Sequence, residues 1–167
     1  MQCLSLTDMR VYLSLGTNIG NKEQNLTRAT EHLSLALGKC LAVSPFIETA
    51  PWGFESENSF LNCAAAFDTD LDPLGLLDAT ESIERELGRT HKSHGGHYSD
   101  RIIDIDILLY GDTVVESERL TIPHPLMHLR DFVLEPLAAI APDTMHPLLH
   151  KSIGTLLEEL RPSSINR

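Results

Sequence analysis

Asp104 and Asp106 stand one residue apart in Arg101-Ile102-Ile103-Asp104-Ile105-Asp106-Ile107-Leu108-Leu109-Tyr110, a run that otherwise has the β-branched and aliphatic character of a buried strand. Side chains alternate across a strand, so both acids share one face, roughly 6.5 Å apart. Ile103, Ile105, Ile107 and Leu109 are expected on the opposite face, toward a core. At an effective dielectric of 20, two carboxylates at that spacing repel by roughly 3 kcal/mol. Left alone, one of them would tend to hold its proton. A shared cation removes that tendency, and magnesium suits the arrangement because it takes one or two protein carboxylates and completes its octahedron with water and phosphate oxygens. The spacing points to metal-assisted phosphate chemistry. It also fits an Asp pair on a solvated strand face, salt-bridged to neighbouring arginines.

The elements that would carry this strand can be read from periodicity. Val11 to Leu15 is a short apolar run ending in Gly16-Thr17-Asn18-Ile19-Gly20-Asn21, a strand entering a turn. Leu26, Ala29, Leu33 and Leu37 then recur at helical spacing, and Gly38 is placed for a left-handed helix end. Leu41 to Thr49 and Phe60 to Thr69 read as two strands joined by a long connection. Asp72 as N-cap and Pro73 at the first helical position open a helix carrying Leu74, Leu77, Ile83 and Leu87, closed by Gly88. A polar loop with glycine and histidine runs from Arg89 to Asp100 into the acidic strand. Pro123, Pro125, Pro136 and Pro142 punctuate shorter elements, and Ile153, Leu156, Leu157 and Leu160 give a last amphipathic helix. Strand, helix, strand, strand, helix, strand is the order of a split βαβ, ferredoxin-like α+β sandwich. The expectation is an α+β single domain over residues 10–160, a mixed, mostly antiparallel sheet with packed helices, and tails at 1–9 and 161–167.

Length and composition set outer limits. A chain of 167 residues with 42% hydrophobic and 22% charged residues can bury a substantial core as one domain. Its 24 acidic against 13 basic residues, for a formal net charge of -11, argue against sequence-independent binding to nucleic acid or to an anionic membrane. Cys3, Cys40 and Cys63 lack metal-type spacing and read as reduced thiols. With no apolar window long enough for a membrane span, a cytoplasmic protein is expected. Without a heptad or a long apolar stripe, a monomer is the default.

Six blocks in order carry a resemblance. They are Leu15-Gly16-Thr17-Asn18, Phe60-Leu61-Asn62, Gly88-Arg89, the Asp100 to Gly111 stretch with its Arg-x-x-Asp-x-Asp pattern, Arg119-Leu120-Thr121-Ile122-Pro123-His124, and Arg130-Asp131-Phe132. Together they resemble the 6-hydroxymethyl-7,8-dihydropterin pyrophosphokinase family of folate biosynthesis over about residues 10–160. The resemblance implies transfer of the β,γ-diphosphoryl unit of ATP to the pterin hydroxymethyl group, with release of AMP. It implies two magnesium ions between Asp104 and Asp106, and Arg89 and Arg101 as loop arginines closing over the phosphates. His124 and Arg130 correspond to further triphosphate contacts, and Glu81, Glu84, Tyr98, Ile107, Arg119 and Thr121 to the nucleotide pocket. For the pterin it implies stacking by Phe60 and Phe132, an edge contact from Asn62, and backbone around the ring at Thr49 and Pro51. Where many relatives carry Tyr, this chain has Phe60, and Pro125 stands where some have Tyr. The loop between Arg89 and Arg101 is expected to be a mobile lid without ligands, since Gly95-Gly96 and the residues around it offer no apolar anchor.

Two other readings use the same residues. His91, His94 and His97 could be taken for a zinc site, although Gly95-Gly96 disfavours a helix there and no Cys or acid completes a tetrahedral set. A ferredoxin-like module that binds nucleotide or a partner protein without catalysis would share the fold. Such a module has no need of paired metal carboxylates beside arginines.

Overall fold

Apolar residues at every second position of the first strand meet a complementary pattern on its two neighbours, and that register builds the sheet. The computed structural model describes residues 8–49, 59–88 and 102–161. The order is β1 (Met9–Thr17), α1 (Lys22–Leu37), β2 (Cys40–Val43), β3 (Ile47–Thr49), β4 (Phe60–Thr69), α2 (Pro73–Glu86), β5 (Asp104–Tyr110), β6 (Val115–Glu116), β7 (Thr121–Ile122), α3 (Asp131–Ile140) and α4 (Ile153–Leu160). The main sheet runs β2-β4-β1-β5, with β3 also paired to β4, and all its pairs are antiparallel. This is the split βαβ order, with β5 at one edge. A small ribbon, β6 with β7, lies outside it.

The sheet is covered on both faces. Val11, Leu13, Leu15, Cys63, Ala65, Phe67, Ile105 and Ile107 form one cluster with Leu26, Ala29 and Leu33 of α1 and Leu76 and Ile83 of α2. Tyr12, Ala64, Ala66, Leu108 and Leu109 form a second with Val133, Leu134 and Leu137 of α3 and Ile153 and Leu156 of α4. The predicted sandwich therefore gains a third layer.

Helix α1 buries the four residues its periodicity singled out, and Asn21 caps it by accepting the Gln24 N–H at 3.1 Å. Gly38 has the positive φ expected, 141°, but in an extended rather than a left-handed helical conformation. An added Cβ there would lie 2.3 Å from the Asp68 carbonyl oxygen, so only glycine fits. Asp72 caps α2 through the Gly75 N–H at 2.7 Å, with Pro73 in the first turn as expected. The buried stripe of α2 is Leu76, Thr80, Ile83 and Glu84, whereas Leu74 is exposed.

Three elements depart from the sequence reading. The stretch Leu41 to Thr49, read as one strand, is two, β2 and β3, each paired to β4. Pro136 does not end an element but lies buried inside α3. A proline there forfeits a helical hydrogen bond at a cost of about 3 kcal/mol. Burial of Val133, Leu134 and Leu137 offsets it, at roughly 1.5–3 kcal/mol each. In β5 the register with β1 shifts, so that Tyr12 faces Leu109 while Leu13 faces Ile107. Leu108 is the extra residue of a β-bulge, which turns Leu109 to the α3/α4 side instead of leaving it with Ile105 and Ile107.

At the chain's margins β1 starts at Met9, and Arg161, just past α4, pairs with Asp131 and Glu135 of α3. Cys40 and Cys63 are free thiols, and burial pushes that of Cys63 up to about 12, so it packs as an inert apolar group. Among the described residues no helix is long and apolar enough to cross a membrane.

Candidate active site

Register places the acids. Asp104 pairs with Gly16 and Gly16 with Asn62, while Asp106 pairs with Ser14 and Ser14 with Ala64. Paired residues share a face, and strands lie about 4.8 Å apart, so Asp104 and Asn62 stand roughly 10 Å apart with Gly16 between them. Ala66 and Tyr12, farther along the same face, are packed in the α3/α4 cluster. Asp104 and Asp106 are only half-buried, so the acids occupy the end of this face that the helices leave accessible.

Gly16 is the low point of the row. A Cβ on it would sit 2.8 Å from Asn62 Oδ1 and 3.6 Å from the Phe60 ring, so its missing side chain is what lets Asn62 and Phe60 lean over β1. Asn62 is buried, and its Nδ2 donates to Thr49 Oγ1 at 2.7 Å, which ties β3 to β4 and fixes the amide. At the start of α3 the Arg130 guanidinium lies 5.8 Å from the Phe132 ring centre. An amide, a glycine floor and two carboxylates thus follow one another across three strands, with aromatic rings available on β4 and α3.

The outer edge of β5 borders a cleft of about 290 Å³ lined by Asp106, Ile107, Arg119, Thr121 and His124, among others. The segment after β7 is held to β5 by the His124 N–H, which donates to the Leu108 carbonyl at 3.0 Å. Burial first, then the nearby Arg130 charge, lower the His124 pKa to about 4, and Asp104 only partly opposes them. The imidazole is therefore neutral at physiological pH. Its Nδ1 accepts the Leu126 N–H at 3.2 Å, which leaves Nε2 as the protonated, donating nitrogen. Arg119 is shared between Asp78 at 2.8 Å and Glu81 at 3.3 Å on α2, at an exposed rim. Glu84, expected at the nucleotide, is not among the described residues lining this cleft. It is buried, and its carboxylate accepts the Ile105 N–H at 2.7 Å.

The structure thus gathers Asp104, Asp106, Ile107, Arg119, Thr121, His124 and Arg130 around β5, and Thr49, Phe60, Asn62 and Gly16 on the adjoining floor. Pro51, Arg89, Tyr98 and Arg101, with the expected lid and its three histidines, lie outside the described residues. Gly16 and Glu84 have roles that strand and helix patterns alone did not assign. A glycine interrupting an apolar strand marks a close approach and was a usable signal for the first.

The donor set also fits a metal. Two half-buried carboxylates on one strand face are the protein contribution that magnesium accepts when substrate oxygens and water complete its shell. Among the described residues no His, Cys, Asp or Glu cluster of three or more is placed to hold an ion by itself.

Known proteins resemble this chain in sequence and in fold. Residues 12–142 match the family model described as 7,8-dihydro-6-hydroxymethylpterin-pyrophosphokinase. A 2-amino-4-hydroxy-6-hydroxymethyldihydropteridine pyrophosphokinase from Porphyromonas gingivalis is 51% identical over 138 residues, 82% of this chain and 93% of that protein. One of the same name from Methylorubrum extorquens is 44% identical over 159 residues, 95% of this chain and 98% of that protein. Among solved structures, wild-type Plasmodium falciparum HPPK-DHPS crystallised with SDX-DHP superimposes with a TM-score of 0.74 at 18% identity, over 95% of this chain and 45% of that one. At that identity the likeness establishes the fold, and this chain spans less than half the length of that protein. The sequence matches carry the assignment further: with a family model spanning most of its length and relatives near half-identical, this chain belongs to the 7,8-dihydro-6-hydroxymethylpterin pyrophosphokinase family.

Proposed function

We propose that this chain catalyses the reaction of its family, moving the terminal diphosphate of ATP to 6-hydroxymethyl-7,8-dihydropterin as a step of folate biosynthesis. The hydroxymethyl oxygen forms a bond to the β-phosphorus, the bond from that phosphorus to the α,β-bridging oxygen breaks, and AMP leaves with the bridging oxygen. The hydroxyl proton is released. The observation that carries this reading is the strand register that puts Asn62, Gly16 and Asp104 in one row; the heterocycle is assigned to that row and the metal to the acids at its end.

In this reading Phe60 and Phe132 stack on the pterin, Asn62 meets its polar edge, and Thr49 and Pro51 border the ring. Asp104 and Asp106 hold two magnesium ions, which when bound neutralise the triphosphate and lower the pKa of the attacking hydroxyl. Neutral His124 donates from Nε2 to a phosphate oxygen, and Arg130 adds charge on the same side. Ile107, Arg119, Thr121 and Glu81 border the nucleotide, and Arg89, Arg101 and Tyr98, which lie outside the described residues, are assigned to the phosphates and the nucleotide by their place in the family's sequence pattern. Catalysis of this kind depends on alignment and electrostatic stabilisation more than on covalent participation by the protein. The working form is a cytoplasmic monomer.

The test is to incubate the protein with magnesium, ATP and the hydroxymethyl pterin. AMP forming in step with pterin diphosphate is the expected result. ADP would make it an ordinary kinase, and no nucleotide product would make it a binding module.

A further inference from the structure

We propose that Glu84 is a positioning residue for the acid pair, fixing the backbone of β5 between Asp104 and Asp106 from the neighbouring helix; this rests on the metal-binding reading of that pair. In an antiparallel edge strand alternate residues direct their N–H away from the sheet. At Ile105 that outward N–H is met by Glu84 Oε2 at 2.7 Å, at the one residue separating the two acids. The side chain comes from α2, whose buried stripe includes Glu84 itself, so the carboxylate is held as part of a packed helix face. A charged acceptor at this distance bonds about twice as strongly as a neutral one.

The placement is costly, which makes it informative. A glutamate is rarely this buried without a partner, and Glu84 is only 7% exposed. Asp104 and Asp106 begin β5 immediately after residues that are not regular strand, and among the described residues the Glu84 carboxylate is the acceptor for the outward Ile105 N–H between them. The N–H that Glu84 holds belongs to the peptide linking Asp104 to Ile105, so rotating that peptide changes ψ of Asp104 and φ of Ile105 and with them the spacing of the two carboxylates. Glu84 thus couples the packing of α1 and α2 to the spacing of two groups on the opposite face of the sheet. Groups that orient metal ligands from behind typically change metal affinity or activity by 10–100-fold when removed.

The experiment compares Glu84→Gln and Glu84→Asp with the parent enzyme by magnesium-dependent AMP formation, alongside hydrogen exchange of the Ile105 amide. Gln keeps the reach and the acceptor without the charge, and Asp keeps the charge while losing a methylene of reach. Asp is expected to raise the magnesium concentration for half-activation about tenfold, to lower kcat, to leave the pterin KM unchanged, and to speed Ile105 exchange. Gln restores half-activation to within about threefold of the parent, the remaining deficit being that of a neutral hydrogen bond. An Asp variant with parental magnesium dependence, or a Gln variant as impaired as Asp, overturns the proposal. If the parent enzyme itself makes no AMP, the functional reading fails, while Ile105 exchange in the two variants still decides whether Glu84 holds the strand.

Discussion

The two faces of the central sheet use the same strands and do opposite things. Toward α1 and α2, Val11, Leu13, Leu15, Ala65, Phe67, Ile105 and Ile107 make a continuous apolar surface with almost no exposure. Toward α3 and α4, the surface is apolar only where the helices lie, at Tyr12, Ala64, Ala66, Leu108 and Leu109. Beyond them it turns into Ser14, Gly16, Asn62, Asp104 and Asp106. The bulge at Leu108 lies at that border, sending two consecutive leucines under the helices just after the acids. One face supplies the sheet's larger core, and half of the other remains polar.

Replacing residues on each face should therefore fail in different ways. Asp104→Ala or Asp106→Ala is expected to cut AMP formation to below a few per cent of the parent while leaving the unfolding midpoint unchanged or raised, since removing one acid relieves roughly 3 kcal/mol of repulsion at most. Activity above that level with magnesium would sink the metal assignment. Leu13→Ala, on the closed face and fully buried, should instead cost about 2–5 kcal/mol of stability by leaving a cavity, with kcat nearly unchanged in the folded fraction. Denaturant unfolding alongside activity per folded molecule separates the two. Gly16→Ala is the intermediate case, because its new methyl would crowd Asn62 Oδ1 and approach the Phe60 ring. The pterin KM should rise about tenfold, equivalent to about 1.4 kcal/mol, with the ATP KM unaffected. A parental pterin KM would mean the heterocycle does not lie on that floor.

What could be read in advance follows the same division. The acids, the α1 stripe of Leu26, Ala29, Leu33 and Leu37, and the Asp72-Pro73 helix start were legible because each follows from local periodicity or capping. Helix α3 was hidden by Pro136, since the burial that outweighs the proline comes from β4 and α4, which no local window contains. Leu109 was assigned to the wrong side because an alternation rule has no place for an inserted residue. Leu74 looked as apolar as Leu76, and only the angle at which α2 meets the sheet exposes one and buries the other. Glu84 was expected at the nucleotide, and its bond to Ile105 spans 21 residues of chain, a relation that depends on how helix and edge strand dock.

A comparably small effect concerns His124, which borders the polar half without belonging to the sheet. Its ordinary pKa of 6.5 is lowered to about 4, chiefly by burial and then by Arg130. The unfolded chain therefore binds a proton at this residue as pH falls through 6.5, whereas the folded protein does not until pH nears 4. Stability relative to a variant lacking the imidazole is full above 6.5, declines across that interval, and is level below it. An unscreened shift of this size corresponds to roughly 3 kcal/mol, which partial solvent contact reduces to about 1–2 kcal/mol. Urea unfolding of the parent and of His124→Gln between pH 7 and pH 4 should show the parent losing that much more. His146, whose pKa is also lowered by burial, is common to both proteins and cancels in the difference. In the folded protein the His124 ring resonances should stay fixed from pH 8 to pH 5. A midpoint near 6.5 would mean a solvated, protonatable side chain, and the neutral Nε2 donor assigned to the polar half would be lost.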